Sequence, residues 1–270
     1  MVGMAVGCGE GGTTGATPSA SQKAAAQTAG TGSSSISKTQ DAANDALVES
    51  GAPGSTSAKS GSQKSFTAGT AISYAASVTL TVDLDVLNGQ GQDAFPNATG
   101  KFKVTANGTV TGDGMNGQVT YDVHVEWLTD GVFTDPACAA SATIGAGSNW
   151  NYDLQIQWAK TDDLNWSISA AADVAGALSA SVTHDGQTWV VTGTVTRHAT
   201  LTFTRTDGNY AFTFGIHGQH TAVVTNGVET HTVVTTMSAL DHIIIEVDGV
   251  AFGPYNLVQV LLIWGFNCAA

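Results

Sequence analysis

The sequence predicts an all-β protein: an antiparallel up-and-down meander of about 9–11 long strands that forms a closed or nearly closed barrel, after a disordered N-terminal tether. Three observations predict it. Apolar and polar residues alternate with period two from about residue 66 onward. Two-residue turn signals, Asp185-Gly186 and Asp207-Gly208, join the longest alternating runs. Ahead of them, residues 9–65 are low in complexity and poor in aromatics, so they have little apolar surface to offset the entropy of ordering them.

The chain divides accordingly into residues 1–8, the tether over 9–65 and the β domain over 66–270. In the first segment Ala5-Val6-Gly7-Cys8 resembles the lipobox of bacterial lipoproteins. There, a small residue precedes a cysteine that receives a diacylglyceryl group and becomes the mature N-terminus. The resemblance implies that residues 1–8 are a truncated signal segment and that Cys8 is lipidated. It also implies that the protein is held to the membrane through that lipid, in the bacterial cell envelope on the periplasmic or cell-surface side. The alternative is a cysteine placed by chance in a glycine-rich start. Within the tether, only residues 35–49 could form a short helix, with Ile36, Ala43 and Leu47 on one side. An isolated helix of that length is marginal in water.

The β domain opens with Val78, Leu80, Val82, Leu84 and Val86 alternating with polar partners, a strand with one dry face and one wet face. Phe102, Val104, Ala106 and Val110 repeat the pattern, as do Val119 to Trp127 and Trp150 to Trp158. The run from Leu164 to Val182 keeps one parity throughout, and so does the return from Trp189 to Arg205. A two-residue loop at Asp185-Gly186 sets Val182 against Trp189 and Ala180 against Val191. A loop at Asp207-Gly208 sets Phe203 against Phe212 and Leu201 against Phe214. A slip of one residue would turn every apolar side chain to the wrong face. Asn226-Gly227 and Asp248-Gly249 give two further turns. Gly176 and Gly193 fall almost opposite each other, where paired glycines let long strands bend. The run from Leu257 to Phe266 reads as a last strand, being only about half the length a membrane-spanning helix needs. A two-layer sandwich and an outer-membrane barrel are the alternative architectures. Consecutive tight turns at both ends of the strands argue against the latter.

Composition narrows the function classes. The 270 residues carry a net charge of −13 with only 11% charged residues. A surface this acidic repels phosphate backbones, so nucleic acid is not an expected partner. Cys138 and Cys268 are the two remaining cysteines. A disulfide between them would pin the chain's end to a long loop in an oxidising compartment; two buried free thiols are the alternative.

Catalytic signatures are absent from the sequence, and no catalytic residue or cofactor is expected. Asp83 and Asp85 read as solvated acids rather than a calcium loop. Asp122, His124 and Glu126 share the polar face of one strand, and pairing Val110 with Val119 places Glu126 opposite Lys103. A two-residue turn at Asn226-Gly227 would put His231 opposite Ala222, with His220 diagonal to it and Glu229 two residues along. Those three are the weak candidates for a metal site, and a polar solvated patch is the simpler reading.

The expected function is a lipid-anchored cell-envelope protein with a non-enzymatic structural or interaction role. One alternative is a carrier of a hydrophobic small molecule or lipid inside a β-barrel; another is a metal-dependent enzyme. The expected partners are the membrane through its lipid anchor, and an envelope protein or a hydrophobic ligand. Interior volume separates the first two readings, because a solidly packed interior has no room for a ligand.

Overall fold

Among the described residues, alternation along the chain becomes a 13-stranded antiparallel sheet. The computed structural model describes residues 17–49, 72–89, 98–135, 140–184 and 186–264. The chain begins with helix α1 (Ala20–Glu49), then strand β1 (Ile72–Asp83) and the short α2 (Leu84–Gly89). Next come β2 (Ala98–Thr99), β3 (Lys101–Gly112), β4 (Asn116–Trp127), β5 (Gly131–Asp135), β6 (Ala140–Ile144) and β7 (Asn149–Lys160). The long strands β8 (Trp166–His184), β9 (Gln187–Thr206) and β10 (Asn209–Thr225) follow. Strands β11 (Thr230–Ala239), β12 (His242–Val247) and β13 (Val250–Tyr255) and helix α3 (Leu257–Trp264) complete the order.

The main path runs β1-β3-β4-β7-β8-β9-β10-β11-β12-β13, with β2, β5 and β6 forming a branch. Strand β8 is long enough for β7 and β6 to pair with successive stretches of it. The two long hairpins take the register their turns dictate. Val182 faces Trp189 and Ala180 faces Val191; Phe203 faces Phe212 and Leu201 faces Phe214. Asp207 and Gly208 have φ of 51° and 81°, and Asp248 and Gly249 have 52° and 80°. These left-handed pairs match the twist of the strands they join. Lys103 lies opposite Glu126 and Val110 opposite Val119, as expected. Gly176 faces Val195 and Gly193 faces Leu178, so the two glycines are offset by two residues across β8 and β9. A Cβ on Gly193 would lie 2.9 Å from the Ala222 Cα of β10, so that close approach requires glycine.

Five expectations are corrected. Among the described residues the sheet does not close into a barrel: the path begins at β1 and ends at β13, and these two do not pair. Helix α1, not a strand seam, covers the apolar face, touching β1 near one end of the path and β12 near the other. Second, residues 20–49 within the expected disordered tether form that helix. Its cap is a reciprocal box: the Gln22 amide donates to Ser19 Oγ at 3.2 Å and the Ser19 amide donates to Gln22 Oε1 at 2.9 Å. Third, residues 257–264 are helix α3 rather than a strand. Asn256 and Gln259 make the same reciprocal cap, at 2.8 and 2.9 Å. Fourth, β1 ends at Asp83, so Leu84 and Val86 belong to α2 and not to the first strand. Fifth, Asn226-Gly227 does not form a two-residue turn. Thr225 pairs with Thr230, and four residues make the loop. Asn226 Oδ1 accepts from the amides of Val228 and Glu229 at 2.9 and 2.8 Å, which stabilises the longer turn.

The core lies between α1 and the inner sheet face. Ile36, Ala42, Ala43 and Leu47 pack with Phe102, Trp127 and Trp150, while Ala25, Ala26 and Ala29 pack with Trp189, Val224 and Ile245. Helix α1 is rich in Ser and Thr, yet it is buried because its hydroxyls bond back along the helix. Thr28 Oγ1 donates to the Ala24 carbonyl at 2.7 Å, and Thr39 Oγ1 to the Ser35 carbonyl at 2.8 Å. Burial then fades along the long strands. Leu178, Val182, Val191 and Val224 are buried, but at the other end of the same strands Tyr210 and Phe212 are 62% and 61% exposed. There the inner face is an open aromatic ladder, in which Trp166, Phe203 and Tyr210 stack at 5.2 to 6.4 Å.

Candidate functional site

Where α1 stops covering the sheet, the inner face borders a half-open cavity of about 410 Å³. Gly30, Ser33 and Ser34 of α1 form one wall, and Arg197 of β9 with His220 of β10 form another. Strands β11 and β12 and helix α3 supply Met237, Ile243, Ile245, Leu257 and Val260. The volume and the mostly apolar wall are those of a small-molecule site. The described residues that line it include no carboxylate and no Phe, Tyr or Trp.

Parity places Arg197 and His220 here. Arg197 continues the inward series of Trp189, Val191 and Val195, and His220 continues that of Ala222 and Val224. Arg197 lies opposite Gly218. A Cβ on Gly218 would come within 2.6 Å of the Thr196 carbonyl and 3.2 Å of Arg197 Cγ, so the missing side chain makes room for the arginine. Arg197 Nη2 donates to Ser33 Oγ at 2.7 Å. Burial lowers the guanidinium from its ordinary value, though it stays charged at neutral pH. His220 is 8% exposed and its Nε2 has no hydrogen-bond partner. Burial, and then the positive charge of Arg197, lower its pKa from 6.5 to about 4, so the imidazole is neutral at physiological pH.

The structure does not assemble the sequence-predicted metal candidates. His231 lies opposite Val224, whereas His220 lies opposite Thr235, four residues along β10. His231 Nδ1 instead meets Asp248 Oδ2 at 2.7 Å, and its Nε2 is 3.5 Å from Glu229 Oε2, without hydrogen-bond geometry. Among the described residues, no group of three His, Cys, Asp or Glu is arranged to hold a metal ion. Asp83 pairs with Lys101 at 2.7 Å, and Asp85 lies in α2 with its Oδ2 3.3 Å from the Gly100 amide. Cys8, Cys138 and Cys268 lie outside the described residues.

On the outer face, a polar row crosses five adjacent strands. Asp122, Asp153, Asp173, His198 and His217 stand opposite one another in register. Sequence reasoning noted Asp122; the register of the two long hairpins already sets Asp173, His198 and His217 in line, whereas joining them to Asp122 through Asp153 depends on pairing β7 with β4 and β8. Burial, with the neighbouring Asp122 and Asp173 charges, raises the Asp153 carboxyl. His198 Nδ1 meets Asp173 Oδ1 at 2.6 Å, and the His198 and His217 rings lie 4.7 Å apart. The row is open to solvent.

Arg197 and His220 carried a legible signal, since a charged and an imidazole side chain interrupt inward-facing apolar parity. Their convergence on one cavity was not legible, because the α1 wall was read as tether. Comparison with known proteins finds no matching family model, no similar curated protein and no similar solved structure.

Proposed function

We propose that this protein is a non-enzymatic carrier of a hydrophobic small molecule or lipid, held in the cell envelope by a lipid on Cys8. The observation that carries the reading is the apolar cavity of about 410 Å³ between α1, the inner sheet face and α3. A hydrophobic guest there replaces water on aliphatic walls, and each CH₂ it buries contributes about 0.8 kcal/mol. The lipobox resemblance of residues 5–8 supports the anchor. An envelope role of a purely structural kind has no comparable feature on its side, because such a role leaves the cavity unused.

Native mass spectrometry of the purified protein tests the carrier reading, together with binding of the neutral fluorophore phenylnaphthylamine. The expected result is saturable dye binding that Met237→Trp abolishes while the fold is retained, since the indole would fill the cavity. Dye binding that survives Met237→Trp, or no bound lipid and no dye binding at all, would sink the reading. For the anchor, Cys8→Ala is expected to move the protein from the membrane to the soluble fraction on cell fractionation. Unchanged membrane association would refute lipidation.

A further inference from the structure

The half of the inner sheet face that α1 leaves open is apolar across seven strands, and register makes it continuous. Tyr74 faces Val110 and Val110 faces Val119; the line runs on through Ile156, Ala170 and Leu201 to Phe214. Two residues nearer the strand ends, Trp158, Ile168, Phe203 and Phe212 form a second line, and Trp166, Arg205 and Tyr210 a third. None of these side chains is buried, and Tyr74, Ile168, Tyr210, Phe212 and Phe214 are exposed. We infer that this face is the interface of a homodimer, in which two copies of the chain pack open half against open half as stacked sheets.

Area, layer thickness and charge lead to a second copy. At about 4.8 Å between strands, the first line is about 29 Å wide. The exposed aromatic and aliphatic side chains alone present roughly 500 Å² per copy, a patch larger than monomers usually leave to water. With the half-buried members between them, two such faces exceed about 1,000 Å², the size at which an interface becomes specific. Trp, Tyr and Arg are the residues that anchor interfaces, and Arg205 lies over the Tyr210 ring at 5.3 Å. Stacked sheets lie about 10 Å apart and a helix with its side chains is about 10–12 Å across. The second sheet therefore continues the layer that α1 occupies on the covered half. The rim disfavours a lipid surface. Asp113, Asp162, Asp163 and Asp207 stand in the turns at this end of the strands, beside Lys160 and Arg205, and such a rim repels anionic lipid. In a two-fold pair whose strands run in opposite directions, the acidic turns of the two copies lie at opposite ends of the interface and do not meet.

Sedimentation velocity of the full chain from about 1 to 100 µM tests the inference. The native protein is expected to sediment as a dimer. Tyr74→Asp on β1 and Phe212→Asp on β10 lie at opposite sides of the face. Each is expected to weaken the dimer by about a hundredfold or more, because a two-fold interface carries every substitution twice. Both variants are expected to keep native far-ultraviolet circular dichroism, since neither side chain is buried within one chain; if one does not fold, the other carries the test. Val228→Asp, in the loop at the far end of β10, is expected to leave the dimer intact. A native monomer throughout this range would overturn the inference, and flotation of that monomer with phosphatidylethanolamine–phosphatidylglycerol vesicles would reassign the face to lipid. A dimer that survives both Tyr74→Asp and Phe212→Asp unweakened would also overturn it.

Discussion

At the scale of the residue, His220 sets how the protein responds to acid. Its folded pKa is about 4 against an ordinary 6.5, so between those values the unfolded chain holds the proton and the folded chain does not. Stability contributed by this residue is therefore complete above about pH 6.5. It falls as pH drops towards 4 and is constant below that. The window is worth about 3 kcal/mol. Urea unfolding of the native protein and of His220→Phe across this range is expected to show a shallower loss for the variant; identical slopes would refute it. Gly218 has an equally local role. Gly218→Val is expected to destabilise by roughly 1–3 kcal/mol, because the new Cβ meets the Thr196 backbone, which cannot yield as a flexible side chain would. Both effects belong to parity, which is legible: counting by twos from Trp189 and from Ala222 reaches Arg197 and His220. That these side chains meet in one cavity is not legible, because their convergence depends on which helix covers the sheet.

At the scale of the element, α1 separates local signal from tertiary context. Its composition is that of a linker, and Ala, Gly, Ser and Thr give it no continuous apolar stripe. The same small side chains let a sheet approach closely. Gly32 lies where a Cβ would be 3.1 Å from Leu178 Cδ2. Small side chains also lose little rotamer entropy on burial. The helix start was nevertheless written in the chain, as Ser19-x-x-Gln22, and that of α3 as Asn256-x-x-Gln259. Leu47, fully buried, is the strongest apolar anchor of α1. Leu47→Ala is expected to cost about 2–5 kcal/mol, whereas Ser19→Ala removes only a cap and costs about 1 kcal/mol. Hydrogen exchange gives the direct check. Amides of residues 25–47 are expected to be protected like those of β9, and exchange at the rate of an unstructured linker would contradict the helix. The hairpins show the opposite balance. Asp207-Gly208 and Asp248-Gly249 specified their turns locally, while Asn226-Gly227 lost to a longer loop held by the Asn226 side chain.

At the scale of the whole molecule, one apolar sheet face is divided into a covered half and an open half, with the cavity at their boundary. Helix α1 seals the half containing Trp150, Val191 and Ile245. The ladder of Trp166, Phe203, Tyr210 and Phe212 lies beyond it. Deleting residues 20–49 is expected to leave the sheet's inner face uncovered, giving strong anilinonaphthalene sulfonate fluorescence and loss of cooperative unfolding. A deletion variant that still unfolds cooperatively without dye binding would show that the sheet does not depend on α1. Strand parity and the register of the two long hairpins were determined by the sequence by itself. Alternation with period two and left-handed turn residues act over a few neighbouring positions, and one misplaced step would bury polar side chains. Tertiary structure alone decided that a helix of small residues would cover the inner sheet face in place of a barrel seam, and that Arg197 and His220 would share a cavity. Such a helix has too little apolar surface to fold by its own preference, and its burial depends on a sheet assembled from strands far along the chain.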